Sequence, residues 1–289
     1  MTLISVLIGI ALDRLLTQLQ EYRKYRGFLH YVDWIRYRFN GPMLDHFGGV
    51  MLVLLPVWGL IWSLQVWTDE WLFGLVKLVF STAVFIYCLG PRDLAMDVDT
   101  WCEVCDSLHP ALRLRAAAQL LGVSDELPEN VEDNTRSVTS GVLVQANERL
   151  FGVLFWFVLL GPLGAVMWRS SSLLQRHYRF DGEFGLAAGW LFGLLIWLPA
   201  RLLALAYALS GHFDAALEGW KAAHHRSPVG SEGSEIVLAE TGMGALGLAE
   251  DSFVRTCREP VQAAMRLVWR SLVICIVVIA LMTLVGWTS

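Results

Sequence analysis

The sequence predicts an all-α, polytopic membrane protein, and three observations support this fold class. Hydrophobic residues make up 55% of the chain, and the mean hydropathy is +0.51. Only 17% of the residues are charged, whereas soluble domains contain about 25%. The apolar residues also gather into runs of about 20 residues, the length that a membrane-spanning helix needs. The net charge of −5 and the scattered basic residues exclude a general nucleic-acid-binding protein.

Six apolar runs are candidate spans. The first lacks a basic n-region and an A-x-A cleavage site, so it is not interpreted as a signal peptide. It is shorter than a full span, and a tilted helix end or an interfacial helix is the alternative to a short first span. Thr68, Asp69 and Glu70 separate the second and third runs, which predicts a tight helical hairpin. The predicted spans are residues 1–16, 47–67, 71–90, 150–168, 186–209 and 267–287.

The basic residues predict an orientation. Segment 18–46 contains five Arg and Lys residues and is predicted to face the cytoplasm by the positive-inside rule. Segments 91–149 and 210–266 are then cytoplasmic segments between spans, within one integral membrane domain of residues 1–289. The loop 169–185, with three arginines, would lie outside against this rule. Either the run before it is re-entrant or the rule is overridden.

Segment 91–149 predicts two helices, 92–121 and 134–148, joined by an acidic, helix-breaking loop. Five cysteines, an odd number with two inside apolar runs, do not predict a disulfide framework and indicate a reduced, cytosol-facing protein. Cys102 and Cys105 with His109 could begin a zinc site, but no second pair of ligands lies nearby. Two ordinary cysteines on a helix face are the preferred interpretation.

Acidic residues follow the hairpin. At helical spacing Asp93 and Asp97 share one face, and Asp99 lies on another with Glu103 and Asp106. Either set could hold a hydrated Mg²⁺ that carries a phosphate substrate. The alternative is a solvated acidic face.

Arg201 is a candidate ligand-binding residue, because a charge inside a span costs about 2.5 to 3.5 kcal/mol and normally faces a cavity or a partner. Pro199 frees a backbone carbonyl nearby. The alternative is that Arg201 snorkels to the membrane interface. His225, Arg226 and Ser227 could grip a phosphate or carboxylate, although a solvent-exposed loop would carry the same residues.

These residues resemble a known family. The runs ANERLFGVLFWFVLLGPLGAVMWR (146–169) and WLPARLLALAYALSGHFDAAL (197–217), and GPRD after the hairpin, resemble the AmpE family of inner-membrane proteins linked to β-lactamase regulation. That family belongs to the CobD/CbiB superfamily of cobalamin biosynthesis enzymes. The resemblance covers nearly the whole chain. It implies a multi-pass protein of the bacterial inner membrane, of the CobD/CbiB-like type, with cytoplasmic helices between spans.

The resemblance also implies site residues. Enzymes of the superfamily attach an aminopropanol arm to cobyric acid with ATP and Mg²⁺, so these are the cofactors that the resemblance implies. Pro-Ala-Arg is intact at 199–201, His, Ser and Pro are kept at 225–228, and Asn147 and Glu148 stand, in reversed order, at the family's Glu-Asn pair. The family's Asn-Thr-Leu-Asp segment has become Ser and Leu residues at 170–174, and the acids before Pro-Ala-Arg have become apolar.

These losses favour a non-enzymatic or weakly catalytic regulator that modulates β-lactamase induction and binds an anionic ligand through Arg201 and the His225 loop. A cell-wall-derived molecule or a nucleotide is the expected class of ligand, the lipid bilayer is the expected partner, and a homo-oligomer is compatible with this function. The alternative is a Mg-ATP-dependent, ligase-like transferase related to adenosylcobinamide-phosphate synthase, with Asp93, Asp97 or Asp99 holding Mg²⁺. A transporter is disfavoured, because the spans contain few polar residues besides Arg201.

Overall fold

The computed structural model describes residues 2–15, 25–38, 46–69, 75–90, 94–107, 109–122, 127–128, 130–226, 230–248 and 256–285. All regular secondary structure in these ranges is helical, so the all-α prediction is confirmed. The α-helices are α1 Thr2–Leu15, α2 Arg26–Arg38, α3 Phe47–Asp69, α4 Leu75–Cys88, α5 Leu94–Val104, α6 Pro110–Leu121, α7 Val131–Ala146, α8 Gly152–Leu160, α9 Pro162–His177, α10 Gly182–Ser210, α11 Phe213–Arg226, α12 Ser231–Leu246 and α13 Arg258–Leu284. A π-helical turn, Asn147–Phe151, joins α7 to α8.

Four of the described helices are long and apolar enough to cross a membrane: Phe47–Thr68, Val131–Leu160, Gly182–Ser210 and Arg258–Leu284. The chain is therefore a multi-pass membrane protein, as the sequence predicts. Helices α1 and α4 have 14 residues each, fewer than the roughly 20 that a span needs.

The predicted cytoplasmic segment 91–149 differs from its prediction. It contains three helices, α5, α6 and α7, where the sequence predicts two. Pro110 starts α6, since proline is favoured at the first helical position and lacks the N–H that a continuing helix would need. Gly122 ends α6 in a left-handed conformation with φ 67°. Because α7 continues through the π-helical turn, this apolar helix begins well before the predicted run 150–168.

The contacts divide the chain into two compact units. Unit 1 contains Met1–Pro91, Gly152–Ile196 and Ile279–Ser289, and unit 2 contains Arg92–Phe151 and Trp197–Val278. Each unit is thus assembled from segments that are distant in sequence. The single membrane domain of residues 1–289 stays a prediction.

In unit 1 the predicted run 150–168 is divided at Gly161, where α8 ends and α9 begins. Gly161 has a φ of 68°, which favours glycine, and Pro162 is the first residue of α9. Gln65 of α3 satisfies backbone groups on both sides of the break. Its Nε2 donates to the carbonyl of Leu160 (3.4 Å), and its Oε1 accepts from the N–H of Leu163 (3.2 Å).

Two glycines allow α8 and α9 to pack as an antiparallel hairpin. The indole of Trp168 lies directly over Gly152, and the backbone of Gly164 lies against the carbonyl of Trp156, so neither glycine has room for a Cβ. The chain therefore turns back after Leu160, which favours the re-entrant alternative for this run.

A polar contact also joins α2 to the connection between α9 and α10. Arg36 Nη1 pairs with Asp181 at 2.5 Å, and this hydrogen bond raises the pKa of Arg36. The hydroxyl of Tyr178 donates to Asp33, and burial with this hydrogen bond raises the pKa of Tyr178 well above its usual value. The loop predicted outside therefore lies beside the basic segment predicted inside, which removes its conflict with the positive-inside rule.

In unit 2 glycines bring α11 and α12 together. A Cβ on Gly219 would clash with the carbonyl oxygen of Glu240, and a Cβ on Gly244 would clash with that of Ala215. The two helices therefore pack backbone against backbone along the second half of α12.

Candidate ligand-binding site

Arg201 lies within α10, half-buried, and contacts the first turn of α12. Its Nη1 donates to the carbonyl of Trp197 (2.9 Å) and to the hydroxyl of Ser234 (3.2 Å). The guanidinium also lies 4.5 Å from the centroid of the Trp197 ring. These contacts orient the Arg201 side chain toward α12, another helix of unit 2. A side chain that only snorkelled to the membrane interface would not need a contact with another helix.

Pro199 leaves the carbonyl of Leu195 without its partner in the helix, as the sequence predicts. The indole Nε1 of Trp156 donates to this carbonyl at 3.2 Å. Helix α10 therefore continues through Pro199 with the freed group satisfied.

The start of α12 favours an anion near Ser234. The first N–H groups of a helix have no partner within the helix, and the helix dipole places partial positive charge there. Gly230, with a φ of 128°, is the N-cap residue of α12 and has no side chain of its own to cap the helix. Ser234 is buried in this turn and Glu232 is exposed. Arg201 and the start of α12 therefore form a positively polarised corner.

His225 and Arg226, which the sequence predicts in a loop, instead belong to the last turn of α11, and residues 227–230 join α11 to α12. Helix α11 ends at Arg226 and α12 begins at Ser231, so the loop immediately precedes the turn that Arg201 contacts. The side chains of His225 and Arg226, and all of Ser227, lie outside the described residues. Their part in ligand binding stays a prediction.

Asn147 occupies the π-helical turn, and Glu148 follows it half-buried. Asn147 is fully buried, and neither its amide oxygen nor its amide nitrogen has a hydrogen-bond partner among the described residues. Buried polar groups without partners are rare, and π-helical turns are frequent at functional sites. The unsatisfied amide therefore marks a place where a ligand or water could bind.

Asn147 and Arg201 both lie close to one contact inside unit 2. The hydroxyl of Tyr207 on α10 donates to the carbonyl of Leu143 on α7 at 2.9 Å. Asn147 lies four residues after Leu143, about 6 Å along the helix at a rise of about 1.5 Å per residue. Arg201 lies six residues before Tyr207, about 9 Å along α10 at the same rise.

Asp97, a predicted Mg²⁺ ligand, is instead buried in a polar cluster. Arg149 Nη1 pairs with one carboxylate oxygen at 2.5 Å, and Gln119 Nε2 donates to the other at 3.0 Å. Arg149 is held in turn by the side chain of Gln145 (3.1 Å) and the carbonyl of Leu120 (2.7 Å). We call Asp97, Gln119, Gln145 and Arg149 the buried ion-pair cluster.

This geometry argues against Asp97 as a metal ligand, because both carboxylate oxygens are already occupied. Asp99 is exposed, and Asp93 lies outside the described residues. A magnesium site on Asp93 or on Asp99 stays a prediction. Arg149 was not predicted as a partner of Asp97, although a basic residue at the start of an apolar run is a signal for a buried partner.

The cysteines contradict the expectation that no disulfide forms. Cys105, at the end of α5, is bonded to Cys257, just before α13, across 152 residues. The prediction considered only local spacing and could not detect a partner so far along the chain. Within the described ranges, these two sulfurs and Asp106 are the one grouping suited to a metal. The disulfide uses both sulfur ligands, and Asp106 pairs with Arg258 at 2.8 Å.

Thiol counting tests this disulfide. Of the five cysteines, Cys88, Cys102 and Cys275 do not belong to the disulfide, so alkylation of the denatured, unreduced protein should label three thiols, and reduction should raise the count to five. We expect Cys105→Ser to give four thiols without reductant, because Cys257 is released. The control Cys102→Ser should give two. Five thiols in the unreduced wild type would contradict the disulfide.

The chain is similar to two groups of known proteins. A family model described as "Regulatory signalling modulator protein AmpE" matches residues 1–288. The cobalamin biosynthesis protein CobD of Stutzerimonas stutzeri is 30% identical over 258 residues, 85% of this chain and 80% of that protein. Protein AmpE of Shigella flexneri is 28% identical over 227 residues, 74% of this chain and 76% of that protein. No solved structure matches.

Proposed function

Because the chain belongs to the AmpE family of regulatory signalling modulator proteins, we propose that it is a regulator in the bacterial inner membrane that modulates β-lactamase induction. The family match over residues 1–288 is the observation that carries this proposal. The apolar replacements at the superfamily's acidic positions before Pro199 support a regulator rather than a cobalamin enzyme.

The regulator would respond to an anionic ligand bound beside Arg201. A guanidinium offers a planar set of donors that matches a carboxylate or phosphate. The start of α12 adds partial positive charge, and the hydroxyl of Ser234 adds a polar contact. Asn147 and Glu148 supply further polar groups in the same unit, and His225, Arg226 and Ser227 would complete the site. A cell-wall-derived molecule or a nucleotide has the required charge.

A Mg-ATP-dependent transferase is the second candidate. The 30% identity with CobD and the intact Pro-Ala-Arg sequence at 199–201 favour it. The residues fit this chemistry only in part: Arg201 could hold a phosphate, whereas Asp97 is taken by Arg149. Any Mg²⁺ would have to rely on Asp93 or on Asp99.

Arg201→Gln tests the proposed ligand site. Losing a charge-assisted hydrogen bond costs about 1.5 to 3 kcal/mol, so we expect roughly 10- to 100-fold weaker binding of the anionic ligand. Soluble anionic cell-wall fragments and Mg-ATP would be titrated calorimetrically against the purified full chain in detergent. Cells carrying the variant at wild-type protein level should show altered β-lactamase induction.

The matched control is Arg115→Gln, which removes an exposed arginine of α6 and should change neither readout. Unchanged binding and unchanged induction in Arg201→Gln would refute the ligand site. Binding and turnover of Mg-ATP by the wild type would favour the transferase over the regulator.

A further inference from the structure

An apolar groove runs through unit 1. It has a volume of about 590 Å³ and lies between the start of α2 and helices α3, α4 and α9. This volume falls within the range of roughly 300 to 1,000 Å³ found for small-molecule sites. Most of its walls are aliphatic or aromatic side chains, among them Phe28, Val57, Ile61, Phe80, Val84 and Leu173.

Arg169 is the one charged residue among the described residues that line this groove. It is 5% exposed, and its Nη2 atom is buried without a hydrogen-bond partner. No carboxylate of the described residues pairs with it. Burying a cation without a partner is costly, since the low dielectric removes its hydration. An anion in the groove would supply the missing partner.

The orientation of Arg169 is fixed by the end of α4. Its Nε donates to the carbonyl of Cys88 at 2.7 Å, one of the groups that a helix C-terminus leaves unsatisfied. The hydroxyl of Tyr25 lies 2.8 Å from the carbonyl oxygen of Tyr87 and 2.9 Å from that of Leu89, and its one proton is shared between these neighbouring acceptors. The guanidinium lies 5.7 Å from the centroid of the Tyr25 ring. The side chain is thus anchored at Nε, and Nη2 is left for a ligand.

We propose that this groove binds an anionic lipid, with its carboxylate or phosphate on Arg169 and an acyl chain along the apolar walls. A guanidinium pairs well with either headgroup. Helix α3, one wall of the groove, is a candidate span and α4 is a shorter apolar helix, so the bilayer is the source of the ligand. The site lies in unit 1, whereas Arg201 lies in unit 2, and the inference goes beyond the proposed function.

Palmitate tests this proposal with the full-length protein in detergent. The amount of radiolabelled palmitate retained by the protein would be measured. Two unlabelled compounds would then be tested as competitors: hexadecanol, which has the acyl chain without the charge, and inorganic phosphate, which has the charge without the chain. We expect palmitate to bind at least tenfold more tightly than either competitor. Arg169→Gln should weaken binding at least tenfold, and Arg169→Lys should restore part of it.

A second variant tests the groove without changing Arg169, so that its result does not depend on whether the Arg169 variants fold. Ala83 is exposed and lines the groove, so Ala83→Trp should fill the groove and abolish palmitate binding without touching the arginine. Arg176→Gln, at an exposed position of α9 outside the groove lining, should bind like the wild type. Equal palmitate binding by the wild type, Arg169→Gln and Ala83→Trp would overturn the proposal. Competition by phosphate as strong as that by palmitate would also overturn it.

Discussion

Replacing Arg149 with methionine is expected to lower the free energy of unfolding by about 3 to 5 kcal/mol. The substitution leaves Asp97, which is 3% exposed, as a buried carboxylate without its cation. It also removes the donors to Gln145 and to the carbonyl of Leu120. Denaturant or thermal unfolding of the purified protein in detergent would measure the loss.

A double variant separates the loss of stability caused by the unpaired charge from the loss caused by the change in side-chain volume. Asp97→Leu combined with Arg149→Met removes both charges, so it should recover at least half of the lost stability, because a buried pair can be replaced by apolar residues at little cost. Arg115→Gln should remain within about 0.5 kcal/mol of the wild type. If millimolar Mg²⁺ stabilised the wild type and Asp97→Asn abolished that effect, Asp97 would be a metal ligand after all.

Replacing Gly244 with leucine is expected to cost about 3 kcal/mol, at the upper end of ordinary overpacking. The clash is with the backbone carbonyl of Ala215, which cannot rotate away as a side chain could. Helices α11 and α12 would have to separate, and the start of α12 beside Arg201 would move. The loss of stability would be measured by unfolding, and the displacement by weaker ligand binding at Arg201.

Gly189→Ala is the matched control, because nothing lies within 4 Å of a Cβ at that position. Alanine should be neutral or stabilising there, by about 0.5 to 1 kcal/mol, since glycine is unfavourable inside a helix. A Gly244→Leu variant as stable as the wild type would show that α11 and α12 are not closely packed.

The fold class was predictable because the composition and the length of the apolar runs depend directly on whether lipid or water surrounds the helices. The break at Gly161 was not predicted, although Gly-Pro is a strong turn signal. Apolar residues continue on both sides of it, and hydropathy does not change when a helix reverses direction. The continuity of α7 with α8 as one apolar helix, Val131–Leu160, was missed for a related reason: the polar residues of α7 face other helices of unit 2 rather than water, as the buried Thr135 and Thr139 show.

The candidate site was predictable only where a residue conflicts with its surroundings. Arg201 is a charge in an apolar helix, so its position alone signals a partner. Its actual partner, Ser234, is 33 residues away in an unremarkable sequence. Likewise, Asp97 and Arg149 are 52 residues apart, and local spacing contains no information on such a pair. Arg169 did produce a signal, because it contradicted the predicted topology.

The bridge formed by Gln65 has a consequence for the order in which the protein is made. Gln65 is synthesised 95 residues before Leu160, whose carbonyl it satisfies. Gln65 supplies a partner to the backbone groups on both sides of the break at Gly161. Because helix α3 is made before α8 and α9, this partner is already present when their hairpin forms. The N-terminal part of the chain thus acts as an assembly template for the middle part.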